Sequence, residues 1–158
     1  MFKRIIVPLD GSRLGSAALK YAEAVAERFT ADLVLMQAVV PATPTPIPAT
    51  PAGAMSPATA ELALQAARAE DKRNAEKARR YLQRKVREVK GRGLRCSYKL
   101  VMGHPGKSII NLCRKERIDL AVMSTHGRGG LKRAILGSVA DEVVRESKVP
   151  VLVIRPGK

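Results

Sequence analysis

Residues 124–138 combine small and basic residues in an order suited to holding phosphate oxygens. The segment starts with Ser124-Thr125-His126-Gly127-Arg128-Gly129-Gly130, and Gly137-Ser138 follows seven residues later. A helix that begins here leaves backbone N–H groups unpaired at a positively charged end, which favours anions. Gly127 and Gly137 carry no Cβ, so the backbone can approach a phosphate closely. The pattern predicts a phosphate-binding loop; a plain flexible turn before a helix cap is the alternative.

Ser138 and Asp141 stand three residues apart, a spacing typical of a capping box. The sequence therefore predicts that Ser138 is the N-cap of a helix over 138–147. Arg128 could add a charged contact to phosphate, although a solvated position suits it equally well.

Few side chains near this loop could carry out acid–base or metal chemistry. Asp10 follows the first apolar run and His126 lies inside the loop, whereas Asp32 and Asp119 begin strands at the opposite end. Metal-assisted hydrolysis would rely on Asp10 and on the phosphates of the ligand. We therefore expect hydrolysis of a phosphate-containing ligand to be slow or absent, and keep a weak hydrolase as a minor hypothesis.

Five apolar runs alternate with helical patterns along the chain. The strands are predicted at residues 3–9, 32–40, 94–102, 118–124 and 150–154. Strands that alternate with helices predict a three-layer α/β sandwich with a largely parallel sheet. Ligands of such sheets bind beyond the carboxyl ends of the strands, where the strand order reverses. The loops after the strands, at 8–12, 38–40, 102–106 and 124–130, are thus expected at one edge.

Residues 41–57 interrupt this pattern with six of the chain's ten prolines. Such a segment can form neither a helix nor a central strand and is predicted to be a flexible linker. A helix is predicted over about 59–90, and at 1.5 Å per residue it would span about 48 Å. A strand of seven residues spans only about 23 Å, so the early turns of the helix must overhang the sheet, kink or fray. We expect the linker and the overhang to form a lid or a partner-contact arm.

The composition is that of one globular domain of 158 residues, 46% of them hydrophobic. No apolar stretch approaches the roughly 20 residues that a membrane span needs, and the start of the chain is unlike a signal peptide. Two cysteines without metal or disulfide spacing suit a reducing cytoplasm.

The net charge of +15 is unusual, and residues 68–95 carry much of it, with twelve Lys or Arg against four Asp or Glu. One interpretation is that these basic residues form a solvated face of the long helix. The alternative is a basic module that binds nucleic acid or an acidic protein, with a vestigial nucleotide site. Only 3% of residues are aromatic, which leaves few platforms for stacking on single strands.

Two segments closely resemble the universal stress protein family. One is Ser124-x2-Gly127-x9-Gly137-Ser138 with the following VADEVVRESKVPVLVIRP, and the other is the opening FKRIIVPLDGSRLGSAALKYA. The resemblance covers nearly the whole chain apart from the proline-rich segment and the basic helix. It implies a five-stranded parallel sheet in the order 3-2-1-4-5 and a homodimer through the last strand, Val151–Ile154. It further implies ATP binding, with or without Mg, and a regulatory role in stress response.

The same resemblance assigns the binding residues. Glycines and the helix start would hold phosphates and ribose, Asp10 would contact adenosine, and Ala38 would line the adenine slot. Ser124 replaces the first glycine of the family's signature. The implied site residues are Pro8, Leu9, Asp10, Ala38, Met123, Ser124, Gly127, Arg128, Gly130, Gly137, Ser138 and Val139.

Overall fold

The strands of the protein form one parallel sheet. The computed structural model describes residues 1–13, 15–42, 56–125 and 136–155. The strands are β1 (Arg4–Pro8), β2 (Asp32–Val39), β3 (Cys96–Met102), β4 (Leu120–Ser124) and β5 (Val151–Ile154). They lie in the order β3-β2-β1-β4-β5, and every neighbouring pair is parallel. The predicted sandwich and its strand order are confirmed.

Within the described residues, four helices cover the sheet: α1 (Ala17–Phe29), α2 (Pro57–Gly91), α3 (Pro105–Lys115) and α4 (Ser138–Glu146). Along the strands, successive side chains point to opposite faces, so Ile5 and Val7 join the core under α1 and α2 while Ile6 joins the core under α3 and α4. Complete burial of such a side chain contributes about 1.5–3 kcal/mol. Two apolar cores therefore hold the sheet between its helix layers. Within the described part of the chain, no helix combines the length and the apolar character needed to cross a membrane.

The long helix α2 begins two residues before its predicted start. Ser56 caps it by accepting a hydrogen bond from the Thr59 N–H at 3.2 Å, and Pro57 occupies the first turn, where its fixed φ is tolerated. Ser56 and Pro57 thus belong to the helix and its cap rather than to the predicted linker. Residues 43–55 of that linker lie outside the described residues.

The predicted overhang of α2 is present. The Ala42 N–H, just beyond the end of β2, donates to Asp71 Oδ1 at 2.6 Å. Ala67 is buried as well, but Leu82 and Val89, the residues of α2 in the core shared with β2 and β3, follow Asp71. Residues 57–70 precede it and extend about 21 Å past the carboxyl side of the sheet. The role of this overhang as a lid stays a prediction.

Helix α1 buries a narrower face than its apolar spacing indicates. Three alanines carry the contact with the sheet: Ala18, Ala22 and Ala26. Tyr21 and Phe29 lie on the apolar stripe of the sequence but are 43% and 39% exposed, because small residues bring the helix axis close and leave the bulky flanks outside. Glu23, a charged residue of this helix, is buried and forms an ion pair with Arg92.

Candidate functional site

The strand order reverses between β1 and β4, which lie side by side in the middle of the sheet. Their register pairs Ile5 with Leu120 and Ile6 with Ala121, so Pro8 comes level with Met123 at the carboxyl edge. The chain leaves β1 towards the α1 face, whereas α4 packs on the opposite face. Connections that diverge in this way leave a crevice between the two strand ends. We call this crevice the carboxyl-edge cleft.

Several predicted wall residues share one face of the sheet at this cleft. Ala38, Met123 and Val139 belong to, or pack against, the core under α3 and α4, and strand alternation places Pro8 on the same side as Ile6. Ala38 is half-buried and has the small side chain expected of a slot for a planar base. Four elements, β1, β2, β4 and α4, therefore each bring one of the predicted residues to this wall.

Leu9 does not join this wall. Its side chain is buried in the core under α1 and α2, on the other face, while its N–H donates to the Met36 carbonyl at 2.7 Å. Leu9 therefore anchors the end of β1 to β2.

Asp10 is held by the loop that follows it. Its Oδ1 accepts hydrogen bonds from the Ser12 N–H at 2.9 Å and the Ser12 hydroxyl at 2.7 Å, and Ser12 Oγ accepts the Gly15 N–H at 2.8 Å. A Cβ at Gly15 would lie 2.1 Å from Asp10 Oδ1, so the loop needs glycine there. These bonds hold Ser12 and Gly15 in the loop, and α1 starts at Ala17.

Two buried oxygen atoms at this edge have no hydrogen-bond partner among the described residues: Asp10 Oδ2 and Gln37 Oε1. Gln37 lies on β2 one residue before Ala38, and its Nε2 is 3.9 Å from the position of a Cβ on Gly11. An unsatisfied buried acceptor costs about 1–3 kcal/mol and needs a structural or functional explanation. Both oxygens are suited to accept hydrogen bonds from a ligand.

Gln37 was missed by the sequence analysis. The signal was a single polar side chain inside the otherwise apolar run after Asp32. A strand that is buried on both faces exposes no side to water. A polar side chain on such a strand therefore needs a hydrogen-bond partner, which indicates a site.

The start of α4 forms the other side of the cleft. Thr125 N–H donates to the Ile154 carbonyl, and Gly137 N–H donates to the Thr125 carbonyl, both at 2.9 Å. A Cβ at Gly137 would lie 2.6 Å from that carbonyl oxygen, so the close approach requires glycine. The first helical bond runs from the Asp141 N–H to the Gly137 carbonyl at 2.9 Å. The N–H groups of residues 138–140 therefore have no partner within the helix.

The prediction of Ser138 as N-cap is wrong. Gly137 is the N-cap, Ser138 is the first helical residue, and no side chain caps the helix. Serine is the better cap by propensity, but the contact with Thr125 admits only glycine at the cap position. Ser138 is exposed at the first turn.

The remaining loop residues are only partly placed. Ser124 ends β4, pairs with Ile154 and is half-buried. His126, Gly127, Arg128 and Gly130 lie outside the described residues.

A hydrogen-bonded chain links Asp10 to helix α2. The Ser16 hydroxyl donates to the Ser12 carbonyl at 2.8 Å and lies 2.7 Å from the Tyr81 hydroxyl, which accordingly acts as donor to Ser16. Ser12 in turn holds Asp10. We call this series, Asp10–Ser12–Ser16–Tyr81, the hydroxyl chain.

Other reactive side chains have structural surroundings. His104 Nδ1 lies 3.5 Å from Glu142 Oε2, and Gly106 makes room for the same carboxylate, so this group joins α3 to α4. Burial raises the pKa of Cys96 to about 12 and that of Cys113 to about 11, so both are neutral thiols at neutral pH. Across the described ranges, His, Cys, Asp and Glu form no group of three that could hold a metal.

Comparison with known proteins decides the family. The model of the universal stress protein family matches residues 1–155. The chain belongs to the universal stress protein family. Universal stress protein MJ0531 of Methanocaldococcus jannaschii is 29% identical over 158 residues, which span all of this chain and 85% of that protein.

Solved structures show the same fold. The M. jannaschii protein MJ0577 superposes with a TM-score of 0.81 at 23% identity and covers 100% of this chain and 99% of its own. A universal stress protein in complex with cAMP gives a TM-score of 0.65 at 21% identity, over 98% of this chain and 97% of its own. An Arabidopsis thaliana member with AMP bound gives 0.58 at 18% identity, over 98% and 92%.

Proposed function

We propose that the carboxyl-edge cleft binds an adenine nucleotide, ATP with or without Mg, and that the protein is a nucleotide-responsive regulator in stress response. The observation that carries the proposal is that hydrogen-bond donors without acceptors and an acceptor without a donor, among the described residues, lie at the same edge of the sheet. The amides of residues 138–140 lack acceptors within the helix, while Asp10 Oδ2 lacks a donor among the described residues. A nucleotide supplies phosphate oxygens to the first and hydroxyl donors to the second. The family members with cAMP and AMP bound support an adenine nucleotide.

Each part of the nucleotide has a matching surface. The positive end of α4 favours phosphate charge, and Gly137 keeps the backbone open to it. Gly127, Arg128 and Gly130 extend this phosphate site in our proposal, with Ser124 and Ser138 at its margins. Ala38, Pro8 and Met123 offer an apolar wall for the base. The ribose falls between them, within reach of Asp10.

The proposed role is binding rather than rapid turnover. The described part of the chain offers no three-membered group of metal ligands, so a Mg²⁺ ion would take most of its ligands from phosphates and water. Asp10 would add a carboxylate, and its hydrogen bonds to Ser12 orient it without supplying a proton relay to a water molecule. We expect hydrolysis to be slow or absent.

Thermal unfolding in the presence of Mg-ATP, AMP or cAMP tests the proposal. A ligand at 100 times its dissociation constant stabilises a protein by about 2.7 kcal/mol, which raises the midpoint by several degrees. The chain has no Trp and only three Tyr. Nucleotide that co-purifies with it will therefore dominate the absorbance at 260 nm. Purified protein that carries no nucleotide and shows no shift with any adenine nucleotide would contradict the proposal.

We further propose that β5 (Val151–Ile154) forms the contact between two copies in a cytoplasmic homodimer. Within the described sheet β5 is an edge strand, paired only with β4, and Leu152 on it is 37% exposed. An exposed edge of this kind is a template for association. Light scattering after size exclusion should give a dimer for the natural chain and a monomer for Leu152→Arg. A natural chain that is monomeric at all concentrations would exclude the contact.

A further inference from the structure

Five basic residues form a straight line along the exposed side of α2. Arg73, Lys77, Arg80, Arg84 and Arg87 follow one another at steps of four and three residues, close to the period of the helix, and all five are exposed. From Arg73 to Arg87 the line is about 21 Å long, with about 5 Å between neighbours. We call this line the basic row.

The basic row points away from the body of the protein. Leu82 and Val89 face the core formed with β2 and β3, and Ala78 is buried on the same stripe of the helix. At 100° per residue, the row is centred about 160° around the helix from this buried stripe. A rigid helix fixed to the sheet therefore presents the row to solvent.

The charge of the row is only weakly compensated. Arg80 lies 3.7 Å from Glu76 and Arg84 lies 3.8 Å from Glu88, and exposed pairs of this kind contribute little. Glu88 is shared with Lys85, whose hydrogen bond lowers the pKa of that carboxyl group. Arg73, Lys77 and Arg87 form no ion pair with any described residue.

The row also works against the stability of its own helix. Arg73 and Lys77, like Arg80 and Arg84, are like charges four residues apart, an arrangement that destabilises a helix. An anionic partner would convert this repulsion into attraction.

We propose that the basic row binds the phosphate backbone of double-stranded nucleic acid without reading its sequence. A rigid line of cations matches a rod of regularly spaced charge, and a duplex carries one phosphate per about 1.7 Å of its axis. Four of the five residues are arginines, whose planar donor groups suit phosphate oxygens.

Two side chains next to the basic row, Tyr81 and Gln83, make contacts within the protein. Tyr81 is half-buried, bonded to Ser16 and covered by Arg84 with its guanidinium 5.5 Å from the ring centre, so it offers no face for base stacking. Gln83 donates to the Tyr98 hydroxyl at 3.4 Å rather than presenting its amide to base edges. These contacts favour duplex over single strands and backbone contact over base readout.

Fluorescence anisotropy of a labelled 20-bp DNA duplex, titrated with the protein at several salt concentrations, tests the proposal. Five phosphate contacts predict a slope of log K against log salt of about −4.5. The variant R73A/K77A/R87A should lower the steepness of that slope by about 2.7, because three contacts are lost. Alanine is the best helix former, so α2 should persist, as circular dichroism will check.

A charge-matched control separates the row from the overall charge of +15. The variant R28A/R114A/K115A removes three exposed charges from other helices, so both triple variants carry 15 − 3 = +12. The proposal requires this control to bind with the slope of the natural chain. Equal weakening in both variants would overturn it in favour of general charge attraction. Absence of duplex binding at 50 mM salt, or equally tight binding of poly-glutamate, would also overturn it.

Discussion

The two ends of the parallel sheet differ in how far their carboxylate and amide oxygens are hydrogen-bonded. At the amino end, Asp119 accepts hydrogen bonds from the backbone N–H groups of Lys3 at 2.8 Å and Arg4 at 2.9 Å. Glu116 there binds Lys99 at 2.8 Å and Arg4 at 3.1 Å. At the carboxyl end, oxygens of Asp10 and Gln37 are buried without partners among the described residues.

In our proposal, this contrast separates groups that stabilise the fold from groups that are available to a ligand. Unsatisfied acceptors lower stability, and natural proteins retain such costs mainly where function needs them. Glu23, near the amino end, is a partial exception. Arg92 binds one of its oxygens, while the other is unpartnered within the described chain and the residue borders a cavity of about 540 Å³.

The largest effect is expected from Gly137→Ala at the carboxyl end. The new Cβ would lie 2.6 Å from the Thr125 carbonyl oxygen, so the start of α4 must shift. We expect a loss of stability of about 1–3 kcal/mol from overpacking and a loss of nucleotide affinity of more than tenfold. Calorimetric titration with ATP and urea unfolding measure the two effects.

Gly91→Ala is the matched control, since nothing lies within 4 Å of a Cβ there. It should leave affinity unchanged and leave stability equal or slightly higher. Equal behaviour of the two variants would remove the argument that Gly137 shapes the cleft.

Asp10→Asn should weaken nucleotide binding by roughly 10–100-fold, the worth of one hydrogen bond to a charged group. The amide keeps an acceptor for Ser12 but replaces the unpartnered oxygen with a donor. The same titration, combined with thermal unfolding, gives the comparison. A variant that binds as tightly as the natural chain would show that Oδ2 has no part in the site.

Glu116→Gln should lower stability at neutral pH and leave nucleotide affinity unchanged. The hydrogen bond from Lys99, with the added charge of Arg4, lowers the pKa of the Glu116 carboxyl group in the folded protein. A lowered folded-state pKa stabilises above the ordinary value of 4.5, and this stabilisation disappears as pH falls through the folded-state pKa. Urea unfolding across pH should show the gap at pH 7 and its closure in acid. A gap independent of pH would contradict the ion-pair explanation.

The smallest effect is expected from Gln37→Met, a change of similar size that removes the unpartnered oxygen. Stability should rise by up to about 1 kcal/mol, while nucleotide affinity falls a few-fold. Thermal unfolding with and without ATP separates the two. A fall in stability would mean that the amide has a partner in the free protein.

The sequence predicts the fold more fully than the site, for physical reasons. The strands are short apolar runs such as Leu33–Met36, buried on both faces, and their pattern has no other stable solution. The cap of α4 depends on how closely Gly137 approaches Thr125, and helix propensity carries no information about that distance. The burial of Glu23 likewise depends on Arg92, which lies 69 residues away in the chain.

The late start of α1 has a similar origin. Serine is a favoured helix N-cap, but the Ser12 hydroxyl donates to Asp10 and accepts from the Gly15 N–H, and α1 begins only at Ala17. Local patterns favour both arrangements, and only the surrounding fold selects one of them.

The hydroxyl chain gives the protein a mechanical connection between its two proposed binding regions. Tyr81 stands on the same helix as the basic row, and Ser16 and Ser12 carry its contact to Asp10. We therefore expect a ligand that displaces the Asp10 carboxylate to displace α2 as well, through these three hydrogen bonds. Linkage is reciprocal, so binding of nucleic acid to the basic row would change the affinity at Asp10 by the same coupling free energy.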